Sequence, residues 1–423
     1  MFEKLKDKLR NRLDRTQIIL LLSVIGPGII TAAVDNDPGG ITTYSVAGSH
    51  YGFMLLWTII PIIIALVLIQ EMAARMGIVT GKGLADMIRE NFGLRATFYI
   101  MLILIIVNFG NVLSEFAGIA AAGEIFGITK YLVIPICAIG IWLLVVYGSY
   151  KIIERVFLIA SLVYVAYIIS GIMAHPPWMT VLVQIVTPHV VWKVDYFVII
   201  MGLIGTTIAP WMMFYLQSSI VEKGSKVSEL KYSKIDVVSG SIVTGIVAFF
   251  IIVACAVTLF ANHIPVNTAE DAAKALFPLA GAYAAMLFAF GLFNAGVFSA
   301  AILPLSTAYS VCEGLGWESG VNKKFKEAPQ FYFLITFLIV VGAGIILIPN
   351  MPLIKIMLVS QVLNGILLPI ILIYMLKLSS NKKLMGEHAN STTFNVITWA
   401  ICIIIMLLSI FLTLSYIVPV SQL

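Results

Sequence analysis

Three acidic side chains lie inside sequence that is otherwise built for lipid: Asp35 and Asp37 in "VDNDPGGITTY" (residues 34–44), and Glu115 in "NVLSEFAG" (residues 111–118). Burying a charge at the centre of a bilayer costs at least about 2.5 kcal/mol on insertion scales, so each is a functional-site candidate by default. Glu71 and Glu124 lie nearer segment ends. Glu71 precedes Arg75 by four residues, the spacing of an ion pair at a membrane rim. Asp37 stands beside Pro38, Gly39 and Gly40, where a helix must break, because Pro lacks an N–H and Gly permits dihedrals that a helix excludes. The carbonyls of the half-helix before such a break lose their amide partners and form the negative end of its dipole. A carboxylate placed among them faces like-signed partial charge unless a cation joins the group. The chemistry predicted here is cation binding, with no catalytic constellation and no bound cofactor.

A second break is predicted in "MGLIGTTIAPWMMFYLQSSI" (residues 201–220), part of a run of 26 uncharged residues from Tyr196 to Val221 that holds Gly205, Thr206, Thr207 and Pro210. The first half of this segment is expected to end near Thr206. Two half-helix C-terminal ends and one carboxylate describe a cation site between matched broken helices, as in carriers built from inverted repeats. Unwound backbone at membrane depth is tolerated only where it lines a cavity or is buried in protein, so the breaks also predict a cavity.

The elements that must position these residues follow from hydropathy. The chain has 423 residues, 61% of them hydrophobic and 11% charged, with a mean hydropathy of +1.04. It is expected to be all-α and polytopic, with spans at roughly 17–49, 52–74, 97–126, 131–148, 154–174, 196–221, 237–260, 277–306, 329–348, 352–376 and 393–417. The alternate loops and the N-terminal segment hold 22 Lys and Arg, and the opposite set holds only Lys130, Lys193, Lys274 and Lys355. This split predicts a plasma (inner) membrane protein with a cytoplasmic N-terminus and, after an odd number of spans, an external C-terminus. The basic residues are spread over six segments, which argues against a nucleic-acid partner. The first apolar run shows no small-residue cleavage site and is read as a retained helix. Cys137, Cys255, Cys312 and Cys402 lie in apolar runs without metal-type spacing. His50, His175, His189, His263 and His388 fall in or near loops, and no HExxH, CxxC or phosphate loop is present. An enzyme is not expected.

"GPGIITAAVDNDPGG" (residues 26–40) followed by "YGF", "GTTIAP" (residues 205–210), "NVLSEFAG" and "SQVLNGILLP" (residues 360–369) together resemble the Nramp family of divalent metal transporters over nearly the whole chain. The resemblance implies a leucine-transporter-type fold with five-plus-five inverted repeats and an eleventh helix. The implied units are a cytoplasmic segment 1–15, repeats 16–174 and 195–377, and helix 392–417. It places Asp37 at the family's metal-binding aspartate, Thr206 at a position whose carbonyl is a ligand, and Gln361 at a helix 10 glutamine. Gly40 stands at the family's asparagine ligand, Ala209 at its methionine and Val112 at an aspartate of helix 3. Trp211 and Gln217 fall at or near two histidines, Glu115 matches a glutamate, and Leu367 replaces a second glutamine. Without the thioether, the implied site is all oxygen: Asp37, the Thr206 carbonyl, and Asp35, Thr207 and Gln361. Such a site suits an ion that keeps part of its water shell, as Mg2+ does, and Gly40 and Ala209 are expected to leave room for that water. The expectation is a monomeric carrier that imports Mg2+ by preference and accepts Mn2+, resembling the magnesium-transporting branch of the family. Transport is expected to be weakly coupled to protons or uncoupled, with Glu115 the residue placed for a proton or gating role. The alternative is a proton-coupled Mn2+/Fe2+ importer.

Overall fold

Long uncharged runs leave a chain in lipid no water with which to satisfy its backbone, so it must close its hydrogen bonds within each segment. The computed structural model describes residues 31, 34–147, 164–321 and 323–417, and these form helices and their connections throughout. The longer helices are α1 (Pro38–Tyr51), α2 (Ile59–Thr80), α3 (Leu84–Ile125), α4 (Lys130–Tyr147), α5 (Val165–Met173), α6 (Trp178–Val186) and α7 (Val194–Thr207). They continue with α8 (Pro210–Glu222), α9 (Leu230–Thr258), α10 (Ala284–Leu315), α11 (Pro329–Ile346), α12 (Leu353–Ser379) and α13 (Thr392–Ile417). Short helical turns fill the connection between α9 and α10.

Among the described residues, nine helical spans are long and apolar enough to cross a membrane, with α7 and α8 together forming one of them. The first half of the span predicted at 17–49 lies largely outside the described residues, as do residues 154–163 of the fifth. Two features differ from the sequence expectation. Helix α3 reaches back to Leu84 rather than starting near 97, bending at Gly93, whose φ of 82° is the left-handed geometry that favours glycine. Helix α6 fills what reads as a plain loop, and it turns 120° from α5.

Helix α3 packs along α10 and α12, α7 lies on α12, and α9 supports α1 and α2. Apolar side chains of α4 (Ile136, Ile139, Leu143) and α13 (Ile404, Leu407, Leu414) are exposed, as expected of helices whose outer faces meet acyl chains. The broken segments are enclosed instead, with α1 buried from Pro38 to Ser49.

Candidate cation site at two helix breaks

Both breaks form where a proline sits at the first position of the second half-helix. Pro38 opens α1 and Pro210 opens α8. Each is favourable there because the missing N–H would have been unsatisfied in any case. The same omission acts backwards: a helical carbonyl bonds the amide four residues on, so Pro38 leaves the Val34 carbonyl without its donor and Pro210 leaves the Thr206 carbonyl without one. The first break spans Asp35 to Asp37, with Asp35 N still donating to Thr31 O at 2.9 Å. The second covers Ile208 and Ala209, so α7 ends at Thr207.

Asp37 is the N-cap of α1. Its Oδ1 accepts from Gly40 N at 2.5 Å, and Gly39 N–H also faces its carboxylate. The side chain therefore complements the positive end of the second half-helix, while the stretch that precedes it presents carbonyls. Gly40 brings these together. A Cβ there would lie 2.6 Å from the Asp35 carbonyl oxygen, 3.0 Å from Thr206 Oγ1 and 3.3 Å from Asp37 Oδ1. Three oxygens from both breaks thus converge on the bare face of one glycine. Thr206 Oγ1 is buried without a hydrogen-bond partner, an arrangement that fits a group held for a cation.

Around this point, Glu115 of α3 lies beside Asp37 with both its carboxylate oxygens buried and without a hydrogen-bond partner, and the Gln361 amide of α12 also faces Asp37. A Cβ at Gly39 would fall 1.9 Å from Gln361 Nε2 and 2.9 Å from Ser114 Oγ, so the absent side chain is what admits α12 and α3. Gly205 plays the same part on α7, where a Cβ would meet the Gln361 carbonyl at 1.9 Å. These glycines sit inside helices and work by close approach, whereas the sequence suggested that they loosen the backbone. Asp35 is buried with Thr244 of α9 facing its carboxylate.

The structure brings Asp37, Gly40, Thr206, Gln361 and Glu115 together. It alters the expected part of others. Gly40 does not leave room for water, because its open face is already filled by oxygens. Thr207 turns its hydroxyl to the Tyr44 hydroxyl, 2.9 Å away, and so ties the end of α7 to α1. Ala209 is the N-cap of α8 and is buried. Val112 is buried against α11, 2.8 Å from where a Gly342 Cβ would stand, and Trp211 packs on Tyr215. Glu71 pairs with Arg75 at 3.1 Å as the spacing predicted.

Gln217 lies away from the breaks, in a clasp at one end of the bundle. Its Nε2 donates to Lys82 O at 2.8 Å, and Ser218 Oγ donates to Glu313 Oε2 at 3.0 Å. The Glu313 carboxylate of α10 sits against Gly83 and accepts from the Asp86 N–H, capping α3, while Arg89 pairs with Asp86 at 3.2 Å. Elements α8, α10 and the α2–α3 connection are thereby joined.

Two asparagines missed by the sequence reading support the site. Asn111 and Asn364 exchange hydrogen bonds of 3.1 and 2.9 Å, and Asn364 Nδ2 also donates to Gln361 Oε1 at 2.8 Å. Both lie within the motifs that carry the family resemblance, and amides in apolar helices are a signal of interhelical contact.

A helical bundle with two broken spans, a buried carboxylate at the breaks and oxygens converging there has the leucine-transporter-type fold. The chain belongs to the Nramp family: the family model described as natural resistance-associated macrophage protein-like matches residues 28–415. The divalent metal cation transporter MntH of Bacillus subtilis (strain 168) is 28% identical over 409 residues, covering 93% of this chain and 92% of the relative. MntH of Erwinia tasmaniensis is 28% identical over 380 residues, covering 87% and 88%. In structure, the chain is similar to the Eremococcus coleocola manganese transporter, with a TM-score of 0.75, 22% identity, and coverage of 95% of this chain and 89% of that one. It also shares its fold with Mhp1, a nucleobase-cation-symport-1 family transporter, at a TM-score of 0.59 and 14% identity, covering 93% and 94%. The family is one of transporters and not of enzymes.

Proposed function

We propose that the protein carries divalent metal cations across the membrane by alternating access, binding them between the two breaks, with Mn2+ among its substrates. The observation that carries this reading is the convergence of the Asp35 carbonyl, Thr206 Oγ1 and Asp37 Oδ1 beside Gly40. Relatives spanning most of the chain are named divalent metal cation transporters, and a structural neighbour is a manganese transporter; both support Mn2+. Asp37 supplies the charge, the Thr206 carbonyl freed by Pro210 supplies a neutral oxygen, and Gln361 supplies an amide beside them. The 22-to-4 division of basic residues supports an orientation with the N-terminus cytoplasmic and the C-terminus external.

A second reading, Mg2+ as the preferred ion, is favoured by one observation. The groups gathered on Asp37 are oxygens and an amide, and a methionine is missing at Ala209. Uptake of Mg2+, Mn2+ and Ca2+ into proteoliposomes, compared side by side, separates the readings. Mn2+ uptake that is lost in Asp37→Ala is expected; wild-type flux in that variant would remove the site.

Proton coupling is supported by Glu115 rather than by histidine. Two carboxyl groups buried side by side repel each other unless one of them holds a proton, and a dication arriving at Asp37 competes with that proton. The absence of histidine from the breaks pointed to uncoupled transport. The Asp37–Glu115 contact supplies a proton carrier that histidine does not.

A further inference from the structure

The missing methionine of the second break has a neighbour that the spacing does not suggest. Met212 occupies the first turn of α8, three residues beyond Ala209, and its Sδ accepts from the Ala209 N–H at 3.2 Å. Both residues are buried, at 1% and 2% exposure. Side chains at this helical position fold back toward the helix start, which carries the sulfur past the first turn to the N-cap. The sulfur therefore stands at the backbone of residue 209 itself, in the break whose other end carries Thr206.

We propose that Met212 is a specificity-determining residue that supplies the transport site with a thioether, so that the site is oxygen-rich with one soft donor. This deepens the proposed function and rests on it. In the described arrangement the sulfur caps the Ala209 amide. N–H to S contacts are weak, because a thioether is a poor acceptor, and methionine has three rotatable bonds. Exchanging the amide for a cation is a side-chain rotation that leaves the helix in place. A soft donor of this kind favours Cd2+ and, to a lesser degree, Mn2+ over Mg2+, which takes oxygen. Alanine at 209 has a reason on this reading: a longer side chain there would compete with the Met212 sulfur for one space. Thr206, Thr207 and Ile208 offer no other sulfur at the break, and Met213, the next residue along, projects about 100° around the helix from Met212.

The test uses the purified full-length chain and titrates CdCl2 and MgCl2 by calorimetry into wild type, Met212→Leu, and Met212→Leu with Ala209→Met. Leucine keeps the volume and removes the sulfur. The expected result is a loss of about tenfold in Cd2+ affinity for Met212→Leu, the order seen when a supporting metal contact is lost, with Mg2+ affinity unchanged. Recovery of Cd2+ affinity is expected in the double variant. X-ray absorption at the cadmium edge should show a sulfur neighbour in wild type and none in Met212→Leu. Unchanged Cd2+ affinity, an equal loss for both ions, or an oxygen-only shell in wild type would each overturn the proposal. Failure of the broader reading looks different: neither ion would then depend on Asp37, and Asp37→Ala would bind both as wild type does.

Discussion

At Gly40 the smallest side chain gathers the largest number of oxygens. Any Cβ there enters within 2.6 Å of the Asp35 carbonyl, a backbone atom that cannot rotate away. Gly40→Ala is therefore expected to cost about 1–3 kcal/mol of stability, as overpacking does, and to weaken Mn2+ binding by displacing Asp35 from Thr206. Thermal unfolding and Mn2+ calorimetry on the same preparation would reveal this. A variant with wild-type values in both would show that the glycine is incidental. The larger Gly40→Asn change, which restores the residue type implied by the family resemblance, should be worse still in this chain, since the space an asparagine would need holds the Asp35 carbonyl and the Thr206 hydroxyl.

Among elements, the contact of α3 with α12 is set by a reciprocal amide pair. Removing one member leaves the other buried without its partner, whereas removing both leaves two apolar faces. Asn111→Leu or Asn364→Leu alone should each lower stability by about 1–2 kcal/mol, within the range for interhelical hydrogen bonds in membranes. The double variant should cost less than the sum, by chemical denaturation in detergent. Strict additivity would mean that the pair is not coupled. The clasp of α8, α10 and the α2–α3 connection makes a different prediction. Glu313 holds the Asp86 amide and the Ser218 hydroxyl, and its neighbour Cys312 is fully buried with a free thiol. Glu313→Ala should loosen this closed end and raise the rate at which a thiol reagent labels Cys312, followed by mass spectrometry. An unchanged labelling rate would detach the clasp from any gating movement.

For the whole molecule the question is what drives accumulation. A dication moving through an inside-negative potential gains about 4.6 kcal/mol per 100 mV, twice the single-charge figure, so the potential alone can concentrate a metal. Whether protons move as well depends on Glu115, whose carboxyl contacts Asp37. Liposomes loaded with a pH dye and held at a clamped potential should acidify on addition of Mn2+, at a fixed ratio to metal uptake. Glu115→Gln should abolish the acidification while metal uptake persists down the potential. Metal uptake without acidification in wild type would return the carrier to the uncoupled reading.

Hydropathy and the two prolines determined a good deal alone. A carbonyl four residues before Pro38 or Pro210 loses its donor wherever the rest of the chain lies, so both breaks were legible locally, as was Asp37 at the first of them. The Glu71–Arg75 pair was legible for the same reason, since helical spacing is a short-range property. Three-dimensional contact decided the rest. That Gly39, Gly40 and Gly205 serve close approach rather than flexibility depends on Gln361, Ser114 and Thr206 arriving from helices at great distance in sequence. That Thr207 faces Tyr44, and Glu115 faces Asp37, depends on the rotation of α7 and α3 about their axes. A nearly all-apolar helix does not encode that rotation, because its hydrophobic residues point every way and only packing against neighbours selects one face. The position of the Met212 sulfur has the same origin: a flexible side chain settles where the packed break leaves it space.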